Sequence, residues 1–240
     1  MLEGVYVETG GSEGIPIVLI HGLGATGDVW SNFLASLGSR RRILVDLPGH
    51  GHSTELNRYS PGDLARAIAP AIPTEAVLVG HSLGGVVGLA LSGPEFAIYP
   101  RAVFGLGIKV SWSEEDTSGM ARMASRPRQQ FDTEGEAEQR AQKLAGIGSG
   151  KIRRAVRRNG GSWELCLDPR AFNVGVPDMV TLVKQANCPV HLACGENDPM
   201  VTIDQLRRFD PRATCLVGLG HNAMLDSPEA IRSWLHRHDC

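Results

Sequence analysis

The segment Gly80-His81-Ser82-Leu83-Gly84 constrains the fold of this chain more than any other part of the sequence. It follows a short apolar run, Ala76 to Val79, and precedes a run of small and apolar residues with helical character. Gly-x-Ser-x-Gly between a strand and a helix predicts a tight turn that lifts the serine hydroxyl above the edge of a sheet. The glycines are needed because the backbone folds back on itself there. The helix N-terminus after Ser82 would favour negative charge developing nearby.

Strand-like and helix-like segments alternate along most of the chain. This alternation predicts an α/β fold with a mostly parallel, doubly wound sheet and helices on both of its faces. The predicted strands are the apolar runs at 5–7, 15–20, 42–47, 76–79, 101–106, 189–194 and 213–217. Further helices are predicted at 29–37, with Asp28 as the N-cap, and at 60–71, 179–185, 203–209 and 229–237.

The alternation stops between residues 109 and 176. This segment lacks a buried strand pattern and contains polar, helix-prone stretches at 114–125, 134–145 and 151–158. A chain of 240 residues fits one domain of this kind. We therefore expect a single domain over 1–240, with a core formed by 1–108 and 177–240 and a helical lid inserted at 109–176.

Two later residues supply the partners that a serine nucleophile needs. A serine hydroxyl becomes nucleophilic when a base lies within hydrogen-bond reach and a further group orients that base. In open parallel sheets such groups collect beyond the carboxyl ends of the strands. Asp198 follows the predicted strand at 189–194, and His221 follows the predicted strand at 213–217. We predict that Ser82, Asp198 and His221 form a catalytic triad, in the chain order Ser, Asp, His.

Other interpretations of these two partners remain open from the sequence. Asp198 precedes Pro199, so it would also suit a simple turn. His221 would also suit a packed position in a loop. The acidic run at 114–116 follows another predicted strand and is a rival source of the acid, although it lies several residues further along the chain.

A tetrahedral oxyanion requires hydrogen-bond donors close to the serine. The first candidate is the backbone N–H of Leu83, the residue after the nucleophile. The second candidate is the backbone N–H of Leu23, in the segment His21-Gly22-Leu23-Gly24 after the strand at 15–20.

The motifs together resemble the α/β-hydrolase superfamily, in the branch with compact helical lids. The resemblance implies the α/β-hydrolase fold and hydrolysis of carboxylic esters through an acyl-enzyme intermediate. It implies a small-molecule ester as substrate, and neither a metal nor a cofactor. The blocks that carry it are His21–Gly24, Asp46–Ser53, Gly80–Gly85, Gly195–Asp198 and Gly218–His221.

The resemblance leaves the substrate open. Carboxylesterases, carrier-protein methyl ester esterases, thioesterases, lactonases and C–C bond hydrolases all show this pattern. A cofactor-free lyase or oxygenase would use the His221–Asp198 pair for proton abstraction, with Ser82 serving only to bind. A small-molecule receptor with a hydrolase-like pocket is a third class.

Four apolar side chains are predicted to contact the substrate. Met200 and Met224 lie just after the predicted acid and base, while Trp112 and Met123 lie in the lid segment. Methionine and tryptophan suit an apolar pocket. The alternative is that the lid residues only pack the lid onto the core.

Charge and composition restrict the partners. A net charge of −2 gives no reason to expect nucleic acid or an anionic membrane as a partner. The basic run 151–158, interpreted as a helix, would stack Arg153 on Arg157 and Arg154 on Arg158. Those arginines would form a binding surface for an acidic carrier protein. The simpler interpretation is a solvated helix face.

The location of the protein is predicted from two further features of the sequence. Residues 1–5 lack the basic start and apolar run of an export signal, and the five cysteines contain no Cys-x-x-Cys pair. We therefore expect a cytoplasmic protein.

Overall fold

The computed structural model describes residues 4–148 and 152–238. Its strands are β1 (Val7–Gly10), β2 (Glu13–Ile20), β3 (Arg40–Val45), β4 (Val77–His81), β5 (Ala102–Leu106), β6 (Gln130–Phe131), β7 (Val156–Asn159), β8 (Ser162–Leu165), β9 (Val190–Gly195) and β10 (Thr214–Leu216). Its α-helices are α1 (Ser31–Ala35), α2 (Pro61–Ile68), α3 (Leu83–Leu91), α4 (Glu114–Ala124), α5 (Glu134–Ala145), α6 (Met179–Gln185), α7 (Ile203–Leu206), α8 (Ala223–Asp226) and α9 (Pro228–His236).

The central sheet confirms the predicted architecture. In the described part of the chain, seven strands pair in the order β1-β3-β2-β4-β5-β9-β10. β1 is antiparallel to β3, and the other pairs are parallel. β4 and β5 are buried along their whole length, as expected of central strands covered on both faces. The loops after β4, β9 and β10 therefore leave the same edge of the sheet.

Each face of the sheet is covered by its own set of helices. Leu78 of β4 packs into a cluster with residues of α2, α3 and α6, whereas Val77 and Val79 pack into a second cluster with residues of α1 and α9. Alternate residues of one strand thus enter opposite cores. In the second cluster Phe33 and Trp234 are fully buried.

The predicted cap of the first helix is wrong. A 3₁₀ turn at Gly27–Trp30 precedes α1, and the Thr26 side chain accepts the hydrogen bond that caps it. The Asp28 carboxylate bonds instead to Arg154, whose backbone N–H it accepts at 2.9 Å. A partner that is distant in sequence therefore decides the role of this aspartate.

Segment 109–176 contains both of its longer predicted helices, α4 and α5, but the third prediction is wrong. Arg153–Ala155 forms a 3₁₀ turn and Val156–Asn159 is a strand, while residue 151 lies outside the described residues. β7 pairs antiparallel with β8, which also pairs with β6. Arginines at 157 and 158 therefore point to opposite faces of a strand and do not stack along a helix.

Arg154 is buried between this segment and the core. Its side chain is 8% exposed, and its guanidinium lies 2.9 Å from Glu8 and 2.9 Å from Asp28. The Nε atom lies 3.7 Å from the carboxylate of Asp46, whose side chain is fully buried. Asp46 also accepts the backbone N–H of Gly27 at 2.8 Å. Arg154 is therefore not part of an exposed basic patch, and it neutralises a buried carboxylate.

Removing this guanidinium is expected to destabilise the protein strongly. Arg154→Met keeps most of the apolar stem but leaves Asp46 buried without its cation, a loss of about 3–5 kcal/mol in the free energy of unfolding. Urea denaturation measures the change. Arg158→Met is the control, because Arg158 is an exposed residue of β7, the strand that follows Arg154. Equal stability of the two variants would contradict the role given to Arg154.

Candidate active site

Ser82 lies in a strained turn between β4 and α3. Its backbone has φ 50° and ψ −117°, and it is the one non-glycine residue with positive φ in the described part of the chain. A Cβ atom on Gly80 would lie 2.3 Å from backbone atoms of Gly84, and one on Gly84 would lie 2.3 Å from the carbonyl oxygen of Ile20. The two glycines are thus required by close backbone contacts, and the turn presents Ser82 at the sheet edge.

His221 and Asp198 are hydrogen-bonded to each other, in the loops that follow β10 and β9. The Nδ1 atom of His221 lies 2.9 Å from Oδ2 and 3.0 Å from Oδ1 of Asp198. The Asp198 side chain is fully buried, and its Oδ1 also accepts the backbone N–H of Met200 at 2.8 Å. Because a carboxylate only accepts, Nδ1 of His221 carries a proton, and its Nε2 is the nitrogen available as a base.

The cavity in front of Ser82 has a volume of about 590 Å³ and is lined by both Ser82 and His221. No hydrogen bond joins these two side chains in the described residues. Such bonds are often long before the substrate binds and shorten in the complex. The structure therefore brings the three residues predicted as a triad to one site.

Two buried histidines hold the loop that carries Leu23. His21 donates from Nδ1 to the Gly22 carbonyl at 2.8 Å and accepts the Leu47 N–H at Nε2 at 2.8 Å. His50 accepts the Gly24 N–H at Nε2 at 3.1 Å. Burial lowers the pKa of His21 to about 4 and that of His50 to about 3, so both imidazoles are neutral near pH 7.

These bonds determine which backbone N–H groups near Ser82 are left without an acceptor. The N–H of Gly24 is bonded to His50, and the N–H of Ala25 is bonded to the Gly22 carbonyl at 3.2 Å. The N–H of Leu23 has no acceptor in the described residues. Leu83 is the first residue of α3, so no carbonyl of that helix accepts its N–H. Both residues line the cavity.

The rival acidic run at 114–116 has a structural role. Asp116 belongs to the capping box at the start of α4, where it accepts the N–H of Ser113. Its carboxylate also lies 2.6 Å from the ammonium group of Lys109. The Lys109 ammonium, with the Ser113 bonds, lowers the pKa of Asp116 to about 2. The structure pairs His221 with Asp198 and not with this run.

Three of the four predicted substrate contacts line the cavity, and one does not. Trp112, Met123 and Met200 are lining residues, and Met200 is 41% exposed at the rim. Met224 is fully buried in the second core cluster, so that prediction is wrong. It lies at the start of α8, a one-turn helix that the sequence pattern did not reveal, and this turn directs the side chain into the core.

Several lining residues were missed by the sequence analysis. Met120 was not among the missed residues: it is one of the apolar residues of segment 109–176 expected to suit a pocket, and it lines the cavity one turn before Met123 on α4. Phe172 and Leu144 come from separate parts of the lid segment, and no local signal placed them at the cavity. His81 also lines the cavity, from the position directly before Ser82. In the described residues, no cluster of three or more His, Cys, Asp or Glu side chains suits a metal ion.

Comparisons with known proteins identify the family of this chain. The sequence profile of the alpha/beta hydrolase family matches residues 17–234. The chain belongs to the alpha/beta hydrolase family. A solved E-2-(acetamidomethylene)succinate hydrolase superposes with a TM-score of 0.80 at 20% identity, covering 98% of this chain and 95% of that one. A solved thioesterase domain from the curacin biosynthetic pathway gives a TM-score of 0.78 at 20% identity, covering 97% and 94%. At this identity they show the fold alone.

Curated relatives match over a shorter region. The pimeloyl-[acyl-carrier protein] methyl ester esterase of Methylococcus capsulatus is 46% identical over 87 residues, which is 36% of this chain and 34% of that protein. The enzyme of the same name from Pectobacterium carotovorum is 38% identical over 94 residues, covering 38% and 37%. The match thus spans about a third of each relative's length. In the described residues, no helix is long and apolar enough to cross a membrane.

The neutral buried histidines give a pH dependence of stability. A folded-state pKa of about 3 for His50 lies below the unfolded value, about 6.5, so acid favours the unfolded chain, which binds the proton first. Between pH 6 and 4, His50 should lower the free energy of unfolding by roughly 1.4 kcal/mol per pH unit. Replacing it removes this contribution, so His50→Gln should show a shallower slope in urea unfolding measured across that range.

His52→Gln is the control for this experiment, because the His52 side chain is exposed in the same loop. It should keep the wild-type slope. The comparison uses slopes, so an overall loss of stability in His50→Gln does not affect it. A wild-type slope in His50→Gln would contradict the assignment.

Proposed function

We propose that the protein is a serine hydrolase of carboxylic esters that acts through an acyl-enzyme intermediate. The observation that carries the proposal is the strained Ser82 turn, which opens onto the same cavity as the bonded His221–Asp198 pair. A strained serine is maintained against an energetic cost, and a neighbouring imidazole with a free Nε2 is the base that such a serine requires.

Each residue has a separate role in the proposed reaction. His221 Nε2 takes the proton of Ser82 as the oxygen attacks the ester carbonyl, and it then gives that proton to the departing alcohol. Asp198 holds the ring in the tautomer with Nδ1–H and stabilises the imidazolium. Water, deprotonated by His221, then attacks the acyl-enzyme, and the acid product leaves as Ser82 regains its proton.

The backbone N–H groups of Leu23 and Leu83 are proposed as the oxyanion hole. Both donors lie on backbone that is fixed before the substrate binds, one by the two neutral histidines and one by the start of α3. Preorganised donors of this kind stabilise the negative charge of the tetrahedral intermediate without reorganising during the reaction.

The cavity supports an apolar acyl group. Most of its side chains are apolar, including Trp112, Met120, Met123 and Phe172, and its volume of about 590 Å³ suits an acyl chain of several carbons. The curated relatives are named for a methyl ester on an acyl chain carried by a protein. We propose the same substrate class here: an acyl ester whose distant end is attached to an acidic carrier protein.

Fewer arginines are available to contact that carrier than the sequence predicts. Arg154 is buried and cannot contact a partner. Arg153, Arg157 and Arg158 remain exposed, although Arg157 is bonded to Glu164. The proposed carrier contact therefore reduces to these three residues.

Removal of the nucleophile is the direct test of the proposed function. Ser82→Ala should lower kcat/KM on short acyl esters at least about a thousandfold, because no other hydroxyl side chain of the described residues lines the cavity with His221. Ser233→Ala, an exposed residue of α9, should retain wild-type activity. A fluorophosphonate probe should label Ser82 in the wild type and in the control.

Three outcomes separate the competing functions. Undiminished hydrolysis by Ser82→Ala would exclude Ser82 as the nucleophile. Products that lack added water, or oxygen uptake, would indicate a lyase or an oxygenase. Labelling of Ser82 without turnover on any ester would favour a receptor.

A second prediction concerns acyl chain length. Met123→Trp fills part of the cavity from α4, so KM for long acyl esters should rise about tenfold while short esters are little affected. Ser118→Trp adds the same side chain at an exposed position of that helix and is the matched control. Activity measured over a graded series of acyl esters gives the answer. An unchanged chain-length profile in Met123→Trp would place the acyl group elsewhere.

A further inference from the structure

His81 forms a contact with the base loop that the proposed mechanism does not use. It is the last residue of β4, directly before Ser82, and is 3% exposed. Its Nε2 atom lies 3.0 Å from the main-chain carbonyl oxygen of His221. The two imidazole rings meet edge to face, with their centroids 4.6 Å apart. One side chain therefore contacts both the backbone and the ring of the proposed base.

The hydrogen bond fixes the protonation of His81. A carbonyl oxygen only accepts, so Nε2 of His81 carries the proton and Nδ1 is left with a lone pair. Burial, followed by the neighbouring charges of His221 and His21, holds the pKa of His81 well below its usual range. His81 is therefore a neutral donor, and its lowered pKa makes it a weak base.

The Nδ1 atom of His81 indicates that this side chain has a role beyond packing. Nδ1 is buried and has no hydrogen-bond partner in the described residues. A Cβ atom on Gly22 would lie 2.9 Å from this nitrogen, so the ring lies directly against the loop proposed to hold the oxyanion. An unpaired buried polar atom costs about 1–3 kcal/mol, a cost that an apolar side chain of this size would avoid.

The position of His221 in the sheet explains why it needs such a contact. It follows β10, a strand of three residues at the edge of the sheet. His81 belongs to β4, which is paired on both sides and fully buried. The hydrogen bond between them attaches the loop after an edge strand to a central strand that is buried along its whole length.

We propose that His81 is a positioning residue that fixes His221 relative to Ser82 through its hydrogen bond to the His221 main-chain carbonyl. This inference rests on the proposed serine hydrolase function. His81 neither touches the reacting atoms nor exchanges a proton in the reaction. Its contribution is the placement of the base, and a displacement of the order of 1 Å at such a site can lower the rate about a hundredfold.

A pair of variants separates the hydrogen bond from the space that the ring occupies. Glutamine places an amide nitrogen at the position of Nε2 and can donate to the same carbonyl, whereas methionine has similar length and no donor. His81→Met should lower kcat about 10–100-fold with little change in KM. His81→Gln should recover most of the lost kcat. His236→Met, at an exposed position of α9, is the control for a histidine-to-methionine change and should match the wild type.

A spectroscopic readout tests the placement independently of turnover. The Nδ1 proton of His221, held by Asp198, should give a downfield proton NMR signal in the wild type. We expect this signal to shift or broaden in His81→Met and to return in His81→Gln, with thermal unfolding confirming that both variants are folded. If the wild type hydrolyses no ester, the proposed function fails, yet this signal still tests His81.

Several results would overturn the inference. They are a wild-type kcat and His221 signal in His81→Met, a loss of activity in His81→Gln as large as in His81→Met, or a defect confined to KM. If His81→Met is unfolded, loss of kcat or of the His221 signal in a folded His81→Gln would still overturn the inference. If His81→Gln is unfolded, a wild-type kcat and signal in His81→Met would do so.

Discussion

The close approach of the backbone at Gly80 and Gly84 is the constraint from which the rest of the site follows. Contacts as short as these exclude any side chain at the two positions, and they force Ser82 into a conformation that costs of the order of 1–3 kcal/mol. The surrounding sheet holds this conformation: the Ser82 N–H is bonded to the carbonyl of Leu106 at 2.7 Å, at the end of the neighbouring strand. The serine is thus fixed at the carboxyl end of a central strand, independently of Asp198 and His221.

His221 comes from the loop after the edge strand β10, where the fold offers less support than at the doubly paired β4. β10 has only three residues, and the loop after it depends on cross-links to its neighbours. The Asn197 N–H donates to the Leu219 carbonyl at 2.8 Å, and Asn222 donates to the Gly146 carbonyl at the end of α5 at 2.8 Å. The bond from His81 reaches the same loop from the other side. The position of His221 therefore depends on contacts with the loop after β9, the end of α5 and β4 together.

The sequence predicted those features that local chemistry determines. Gly-x-Ser-x-Gly indicates its own turn, and Asp198 and His221 were predicted to lie near Ser82 because the carboxyl ends of parallel strands share one edge. Features decided by distant partners were not predictable in this way. Residues 153–158 have a helical charge pattern, but Arg154 is drawn into a cluster with Glu8, Asp28 and Asp46, and the chain beyond it pairs with β8. Met224 follows the base in sequence, yet one turn of helix directs it into the core.

The same contrast applies to segment 109–176. Its later part is fixed to the core by a buried ion pair and a buried hydrogen bond: Arg154 lies beside Asp46, and Asp168 accepts the hydroxyl of Tyr59 at 2.6 Å. Helix α4 has no buried residue, yet it supplies Met120 and Met123 to the cavity wall. An element with so little burial opens at a lower free energy than the elements that carry Ser82, Asp198 and His221. The shape of the cavity can therefore change through α4 while the positions of these three residues stay fixed.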